Sequence, residues 1–554
     1  MSFERLTQLP QRLFSHSASK TLKENIFDTF NYFYERSPIT GASITGWHHL
    51  SMPRKAGTLL GGSIAQVAKD VRGYGEYIGD MGEKAKTSKT GRVQSSFAIK
   101  PNILLTTPSD VVQVFIHNDE NIDRGKTMPS FNFIFGHENL VSIPKSDLWE
   151  KKRKQLVDWM LTEEALTHLA KPIQQIVEER INELKKEGNV PSIEGFLVEL
   201  TMDVIARTQM GAKSLGAESK GISHTLGIAL DVSTAPLNNI SAELVASKLG
   251  AILEYFHIIN TTPLQKSKTN LETILTNHFL ASDGSCCLRD TYLFKDYFVN
   301  RDNKTAFKLV LDDVKLLLLA GHETTARLIQ FCLLLLERHP DVLKKLRAEI
   351  DAQKKPADHQ WTREDLNKLT YLGQILKETL RLFPPFPVLP RTVTKEFVLA
   401  DIPLCADGAA YREAMKNRDQ TKDVILHPGD QLSISPLITQ RRAYTDPLTF
   451  KPERHKIGAQ SFGMKTKERK VDSDELGKLF PFGLGKRDCI GQGFAIEEAM
   501  QAIIKFTREY DFATSHTAAK ENTATGIVPN LPETYIRGTL KYDGDDHMSF
   551  RPRC

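Results

Sequence analysis

The stretch Phe482-Gly483-Leu484-Gly485-Lys486-Arg487-Asp488-Cys489-Ile490-Gly491 places a cysteine on a glycine-rich loop. Two glycines precede it and one follows. Glycine opens backbone angles closed to other residues and lets the chain approach a flat ligand closely. After Cys489, the residues Phe494, Ile496, Met500, Ile503 and Ile504 fit a helical period. Cys489 is therefore expected just before or at a helix N-terminus, where orphan N–H groups and the helix dipole favour an anionic sulfur. A thiolate offered this way is a good ligand for iron. A lone cysteine reads better as a buried structural residue; the pattern around this one argues for a ligand.

A second constellation lies in the long apolar run Leu311 to His339, ended by Pro340. Its apolar residues cover nearly all faces, which predicts a buried helix. Within it lies Ala320-Gly321-His322-Glu323-Thr324-Thr325. A mid-helix glycine costs about 1 kcal/mol relative to alanine, and an unpaired acid facing a core costs several kcal/mol. Such breaches of local rules mark functional sites. A threonine hydroxyl bonded back to the carbonyl one turn earlier bends a helix, which would open a notch for a small ligand. No second histidine follows at the spacing of a helical zinc protease motif.

Three further sets are weaker alone. Trp149 and Arg153 share a helix face, and a surface cation–π contact is their plain reading. Glu378 and Arg381 read alone as a surface ion pair. Arg391, Arg454 and His455 follow.

Together and in this order, these motifs resemble the cytochrome P450 family, over roughly residues 65 to 550. The match continues past the cysteine loop through Ala495 and Glu498. The resemblance implies a mainly α fold with small β-sheets (α+β), with haem b held between a long central helix and the Cys489 loop. It implies Cys489 as iron ligand, with Trp149, Arg153, Ala320, Gly321, Arg391, Phe482, Gly485, Arg487 and Gly491 as cofactor-binding residues. Glu323 and Thr324 would form a catalytic acid–alcohol pair. Glu378, Arg381 and Arg454 would be structural, with His455 replacing the usual aromatic. The implied activity is a monooxygenase inserting one oxygen atom of O2 into a lipophilic substrate. Electrons would come from a separate ferredoxin, flavodoxin or NADPH-dependent flavoprotein reductase, because the chain shows no flavin or iron–sulfur motif. The alternatives are a hydroperoxide isomerase, dehydratase or peroxygenase of the same fold, and a non-catalytic haem binder. Lysines 151, 152, 154, 344, 345 and 486 would offer a basic face to an acidic redox partner, or be ordinary solvated charges.

The elements that must position these residues read as follows. Phe97 to Thr107 suggests two short strands around a Pro101-Asn102 turn, and Pro108-Ser109-Asp110 opens a helix. Asn121 to Glu138 reads as an aromatic-rich loop or a half-buried strand carrying Phe131, Phe133 and Phe135. Cys405 to Asp423 reads as an insertion with a short surface helix. Roof helices over a substrate pocket are expected between Gly221 and Ile259 by analogy. The tail from Ala513 is expected to form a closing hairpin with a turn entering the pocket.

Composition sets the outer bounds. The 554 residues are 40% hydrophobic and 25% charged with a net charge of +5. That balance, without interleaved basic and aromatic stretches, argues against a nucleic-acid partner. The six cysteines show neither zinc-ligand spacing nor a disulfide framework, which points to a reducing compartment. No run of about 20 apolar residues marks a transmembrane helix. Residues 1–64 read as an N-terminal extension of unknown role, and 65–554 as one domain. A cytoplasmic location is expected, with peripheral membrane contact or organelle targeting through the N-terminal segment as alternatives.

Overall fold

The computed structural model describes residues 92–97, 100–124, 129–187, 189–190, 192–211, 221–223, 225–226, 262–281, 304–405, 407–456, 458, 475–514, 534–537, 539–542 and 547–553. The expectations for residues 1–91, for most of 221–259 and for Cys286 and Cys287 lie outside these. The architecture is mainly helical with small sheets.

Six helices position the site: α1 (Asp147–Met160), α2 (Glu163–Glu187), α3 (Ile193–Met210), α4 (Lys304–Arg338), α5 (Thr370–Leu382) and α6 (Gln492–Glu509). Local chemistry fixes their ends. The Ser146 hydroxyl accepts the Trp149 N–H at 3.3 Å to start α1, with Asp147 and Glu150 in the first turn against the dipole. Ser192 caps α3, and Gly211, at φ 65°, ends it. The α5 N-terminus is capped from elsewhere: Glu349 accepts the N–H groups of Tyr371 and Leu372 at 2.6 and 2.9 Å.

The central helix α4 runs through the core, buried at nearly every position from Val310 to Leu336. Helices α3, α5 and α6 pack around it. Phe331 of α4 stacks on Phe383, just past α5, with ring centroids 4.5 Å apart. A Cβ on Gly321 would lie 2.8 Å from the side chain of Ile205, so the glycine allows α3 to approach α4. Among the described residues, no helix is long and apolar enough to cross a membrane.

The largest described sheet has five strands in the order Val93–Phe97, Lys100–Leu105, Gln431–Ile434, Leu389–Val393, Ile122–Asp123. The first two form a hairpin in which Pro101 pairs with Ser96. The expected Pro101-Asn102 turn is thus a strand segment. The strand pairing decides here, and proline is tolerated because this strand follows the turn directly. Neither a loop nor a strand forms at Pro129–Phe135; it is a helix, with Phe131 buried and its ring 4.5 Å from Phe135. Alternating aromatics thus meet across a helix turn at i and i+4. The segment around 405–423 joins the paired strands Phe397–Leu399 and Val424–Leu426 and carries the helix Gly408–Lys416, which buries no residue. The closing hairpin forms as Thr534–Arg537 with Thr539–Tyr542.

Candidate active site

The Cys489 loop is built by two left-handed glycines, Gly483 at φ 72° and Gly485 at φ 75°. At Gly485 space forbids a side chain as well: a Cβ would lie 2.5 Å from Asp119 Oδ1 and 2.6 Å from the Phe115 carbonyl. A single 3-10 turn, Gly485–Arg487, follows. The Cys489 N–H closes the loop by donating to the Phe482 carbonyl at 2.8 Å. Helix α6 begins at Gln492 with Gly491 as its cap, so Cys489 stands just ahead of a helix N-terminus as expected.

Cys489 carries accessible surface, yet burial pushes its thiol up to about 11, against the opposing Gly491 amide. The residue is thus reachable although its surroundings desolvate a charge on the sulfur. Among the protein's own groups, burial disfavours the anion at this sulfur more strongly than the Gly491 amide favours it. A bound metal ion reverses that balance.

The central helix shows a matching face. Within the buried α4, Ala320 is exposed, and Gly321 and Thr324 are half-buried. Positions i, i+1 and i+4 share one helix face. The Thr324 hydroxyl donates to the Ala320 carbonyl at 2.7 Å, the back-bond expected of it. Between Val310 and Leu336 the accessible residues of α4 are thus one alanine, one glycine and one threonine.

Cations gather beside the loop. Arg391 is buried; its Nη1 donates to the Pro390 carbonyl at 2.8 Å and its guanidinium lies 4.9 Å from the centre of the Phe115 ring. Burial, then repulsion from Arg124 and Arg487, pulls it down to about 9. Burial and Arg487 lower Arg124 to about 10. Neither Arg391 nor Arg124 makes an ion pair among the described residues. Arg487 Nε lies 2.7 Å from Asp123 Oδ1, an ion pair that is not aligned as a hydrogen bond. Its Nη2 donates to the Ile143 carbonyl at 2.7 Å. Trp149 is buried and donates from Nε1 to the Leu140 carbonyl at 3.2 Å. Its ring takes Arg487 at 4.6 Å and Arg153 at 5.6 Å, so the cation–π reading holds, but in the interior. Arg153 pairs with Asp488.

Glu323 and Thr324 are neighbours in sequence but make different contacts. Glu323 is buried; its Oε1 accepts from Thr539 at 2.9 Å and lies 3.2 Å from Lys541 Nζ and 3.9 Å from Arg327. Burial works to raise its carboxyl, but Lys541 and Arg327 outweigh it and hold it below the usual carboxylate range.

Glu378 and Arg381 form a fully buried pair, with contacts of 2.7 and 2.9 Å. Arg454 Nε joins Glu378 Oε1 at 2.9 Å, and His455 Nε2 lies 2.9 Å from Oε2. The other ring nitrogen of His455 meets Glu475 at 2.6 Å. Farther along α6, Glu498 is buried with neither carboxylate oxygen bonded among the described residues, and burial pushes it well above the usual range.

A Cytochrome P450 family model matches residues 88–408 and 411–536. The chain belongs to the cytochrome P450 family. Among its relatives is the echinocystic acid 23-monooxygenase of Saponaria officinalis, 26% identical over 69% of this chain and 70% of the relative. Cytochrome P450 72A13 of Arabidopsis thaliana is 25% identical over 75% of each. The flavonoid-6-hydroxylase of Ocimum basilicum is 30% identical over 39% of this chain and 36% of the relative. The protein is accordingly a P450-type oxidoreductase, and the family implies haem. The residues fit that group: an accessible cysteine on a glycine-rich loop, a small-residue helix face, and buried guanidiniums of Arg124 and Arg391 without ion pairs among the described residues, suited to a dianionic rim.

Sequence reasoning missed Arg124, which sits in a segment without a motif; only the fold brings it to Arg391 and Arg487. It also missed Thr539 and Lys541. It placed Lys152 on a surface basic face, whereas Lys152 is 1% exposed and bonds Asp313 at 2.9 Å and the Glu138 carbonyl at 2.5 Å. An i, i+3 or i+4 partner on its own helix would have been a signal, but its partners come from distant segments.

Proposed function

We propose that the protein is a haem b monooxygenase that inserts one oxygen atom of O2 into a lipophilic organic substrate, with two electrons from a separate redox partner. The observation that carries this reading is the accessible Cys489 sulfur together with the Ala320–Thr324 face and the under-compensated arginines. When bound, haem supplies reductive activation of O2 and oxidation of a C–H bond.

Cys489 would ligate the iron. Arg124, Arg391 and Arg487, with Trp149 and Arg153, would hold the propionates. Ala320 and Gly321 leave room over the ring, and Phe482, Gly485 and Gly491 shape the loop beneath. Thr324 would hold a proton at Oγ1 by exchanging its bond to the Ala320 carbonyl for one to the cavity. Glu323 would supply protons through water. The aliphatic packing along α4, with Leu316 and Leu317 buried, suits an apolar substrate. The names echinocystic acid 23-monooxygenase and flavonoid-6-hydroxylase support an organic ring compound as the class.

For the electron-transfer partner, exposed Lys154 and Lys344 support docking of an acidic surface; Lys345 and Lys486 already pair with Glu453 and Glu120. We assign residues 65–554 to the domain and 1–64 to an extension. We place the protein in the cytoplasm or peripherally on a membrane.

The test is the reduced, carbon-monoxide difference spectrum. A strongly red-shifted Soret band in the wild type, lost in Cys489→Ala, is expected. A thiolate-type band retained in Cys489→Ala would overturn the ligand assignment. With Thr324→Ala, reductant is expected to drain to hydrogen peroxide at the expense of product; unchanged coupling would remove the hydroxyl from the proton path.

A further inference from the structure

The closing hairpin reaches the central helix at the acid beside Thr324. Thr539 is fully buried and donates its hydroxyl to Glu323 Oε1 at 2.9 Å. Two residues on, Lys541 places Nζ 3.2 Å from the same oxygen and 3.8 Å from Glu194 Oε1 on α3. Arg327, one turn along α4, pairs with Glu194 and lies 3.9 Å from Glu323. Glu323 Oε2 has no hydrogen-bond partner among the described residues. One carboxylate oxygen is therefore pinned and the other is not. The cations that pin it are shared with Glu194, whose side chain is 30% exposed.

We propose that Lys541 and Thr539 are positioning residues for proton delivery. They fix Oε1 of Glu323 and so present Oε2 as the atom that carries protons toward Thr324. Glu194 competes for the same two cations and sets how strongly they hold Glu323. This rests on the monooxygenase reading. There the balance is substrate, O2, two electrons from the redox partner and two protons giving hydroxylated product and water; Glu323 takes each proton from solvent and returns to its anionic state as it passes that proton on.

The groups facing Glu323 are Lys541, Arg327, Thr539 and the adjacent His322, with Glu194 acting through the two cations. Opposite charges at this distance shift a carboxyl by about 1–3 pH units. The test is an infrared pH titration of the full chain, following the protonated-carboxyl band that Glu323→Gln removes. Lys541→Met is expected to move the appearance of that band up by about 1–3 pH units. Lys541→Arg should restore the wild-type midpoint. Glu194→Gln should move it down, because both cations then lose an anion that competes with Glu323. In turnover, Lys541→Met should lower product per reductant consumed, and Lys541→Arg should recover it.

A midpoint unmoved in both Lys541→Met and Glu194→Gln overturns the proposal. If Lys541→Met does not accumulate, Glu194→Gln and Lys541→Arg decide. The titration needs no turnover, so a missing thiolate spectrum would overturn the monooxygenase reading separately.

Discussion

Two buried charge clusters sit in this molecule, and they are built on opposite terms. Around Glu378 the account closes. Oε1 takes Arg381, Arg454 and the Lys451 amide; Oε2 takes Arg381 and His455. Beyond it, Glu475 takes His455 and Lys377. Around Arg391 the account stays open. Arg124 and Arg391 have no ion pair among the described residues; Arg124 and Arg487 depress Arg391, and Arg487 depresses Arg124. A closed cluster holds the fold together and wants nothing further. An open cluster with cations in excess, next to an accessible cysteine, gains from the negative charge a ligand brings. The difference separates structural charge from binding charge without reference to any motif.

The sharpest way to break the contrast is to open the closed cluster. Glu378→Gln leaves Arg381, Arg454 and His455 without their shared anion. Removing one partner of a buried ionic network costs about 3–5 kcal/mol. Haem-loaded and haem-free protein should lose this stability alike, read as equal shifts of their urea unfolding midpoints. Acid probes the same network. Burial would raise Glu378, but the bonds from His455 and Arg381 dominate and hold it at about 2. Its folded value lies below the unfolded one, so its contribution is present above the unfolded range and lost as pH falls through about 2. Wild type and Glu378→Gln should therefore converge in stability only toward that end of an acid titration.

The open cluster should respond with the opposite sign. Arg124→Leu with Arg391→Leu removes two repelling, desolvated cations. The haem-free protein should be stabilised by about 1–2 kcal/mol. Haem should bind about a hundredfold to ten-thousandfold more weakly, since each of the two charge-assisted bonds is worth about 1.5–3 kcal/mol. Haem transfer to an acceptor protein measures the second quantity and urea unfolding the first. A double variant that loses stability without haem would show the cluster to be closed by contacts outside the described residues.

The sequence made the two clusters look alike. Glu378 with Arg381, and Trp149 with Arg153, were both short spacings on helices with a surface ion pair or cation–π contact as the plain reading. Local spacing could say that the pairs touch, and they do. It could not say that both are buried, because burial is set by what packs over them. The loop around Cys489 was legible because glycine positions report backbone geometry, and the left-handed angles at Gly483 and Gly485 follow directly. Helix α4 was legible because being apolar on all faces has one soluble solution, a central position. Arg124, Thr539 and Lys541 were not legible: each reaches the site from a segment far away in the chain, and no periodicity encodes that reach. The Pro129–Phe135 helix was misread because alternate aromatics satisfy a strand pattern over so few residues, while the i to i+4 contact of Phe131 and Phe135 emerges only once the backbone coils.

His455 gives the finest cut between the clusters. Glu378 and Glu475 are both held below the usual carboxylate range despite burial, so each ring nitrogen of His455 faces an anion. The ring thus bridges two carboxylates, Glu475 at Nδ1 and Glu378 at Nε2. Replacing it with the aromatic usual at this place, His455→Phe, removes the bridging ring from a cluster that keeps three cations. Glu378 retains Arg381 and Arg454, and Glu475 retains Lys377 at 2.7 Å. The cost should be about 1–2 kcal/mol, well under that of Glu378→Gln. Haem affinity should not change, because the closed cluster makes no demand on a ligand. A His455→Phe protein that unfolds at the wild-type urea midpoint would mean that the bridge adds nothing beyond the arginines. One that loses haem while keeping that midpoint would mean that the two clusters are coupled, and that the closed one helps to hold the open one in place.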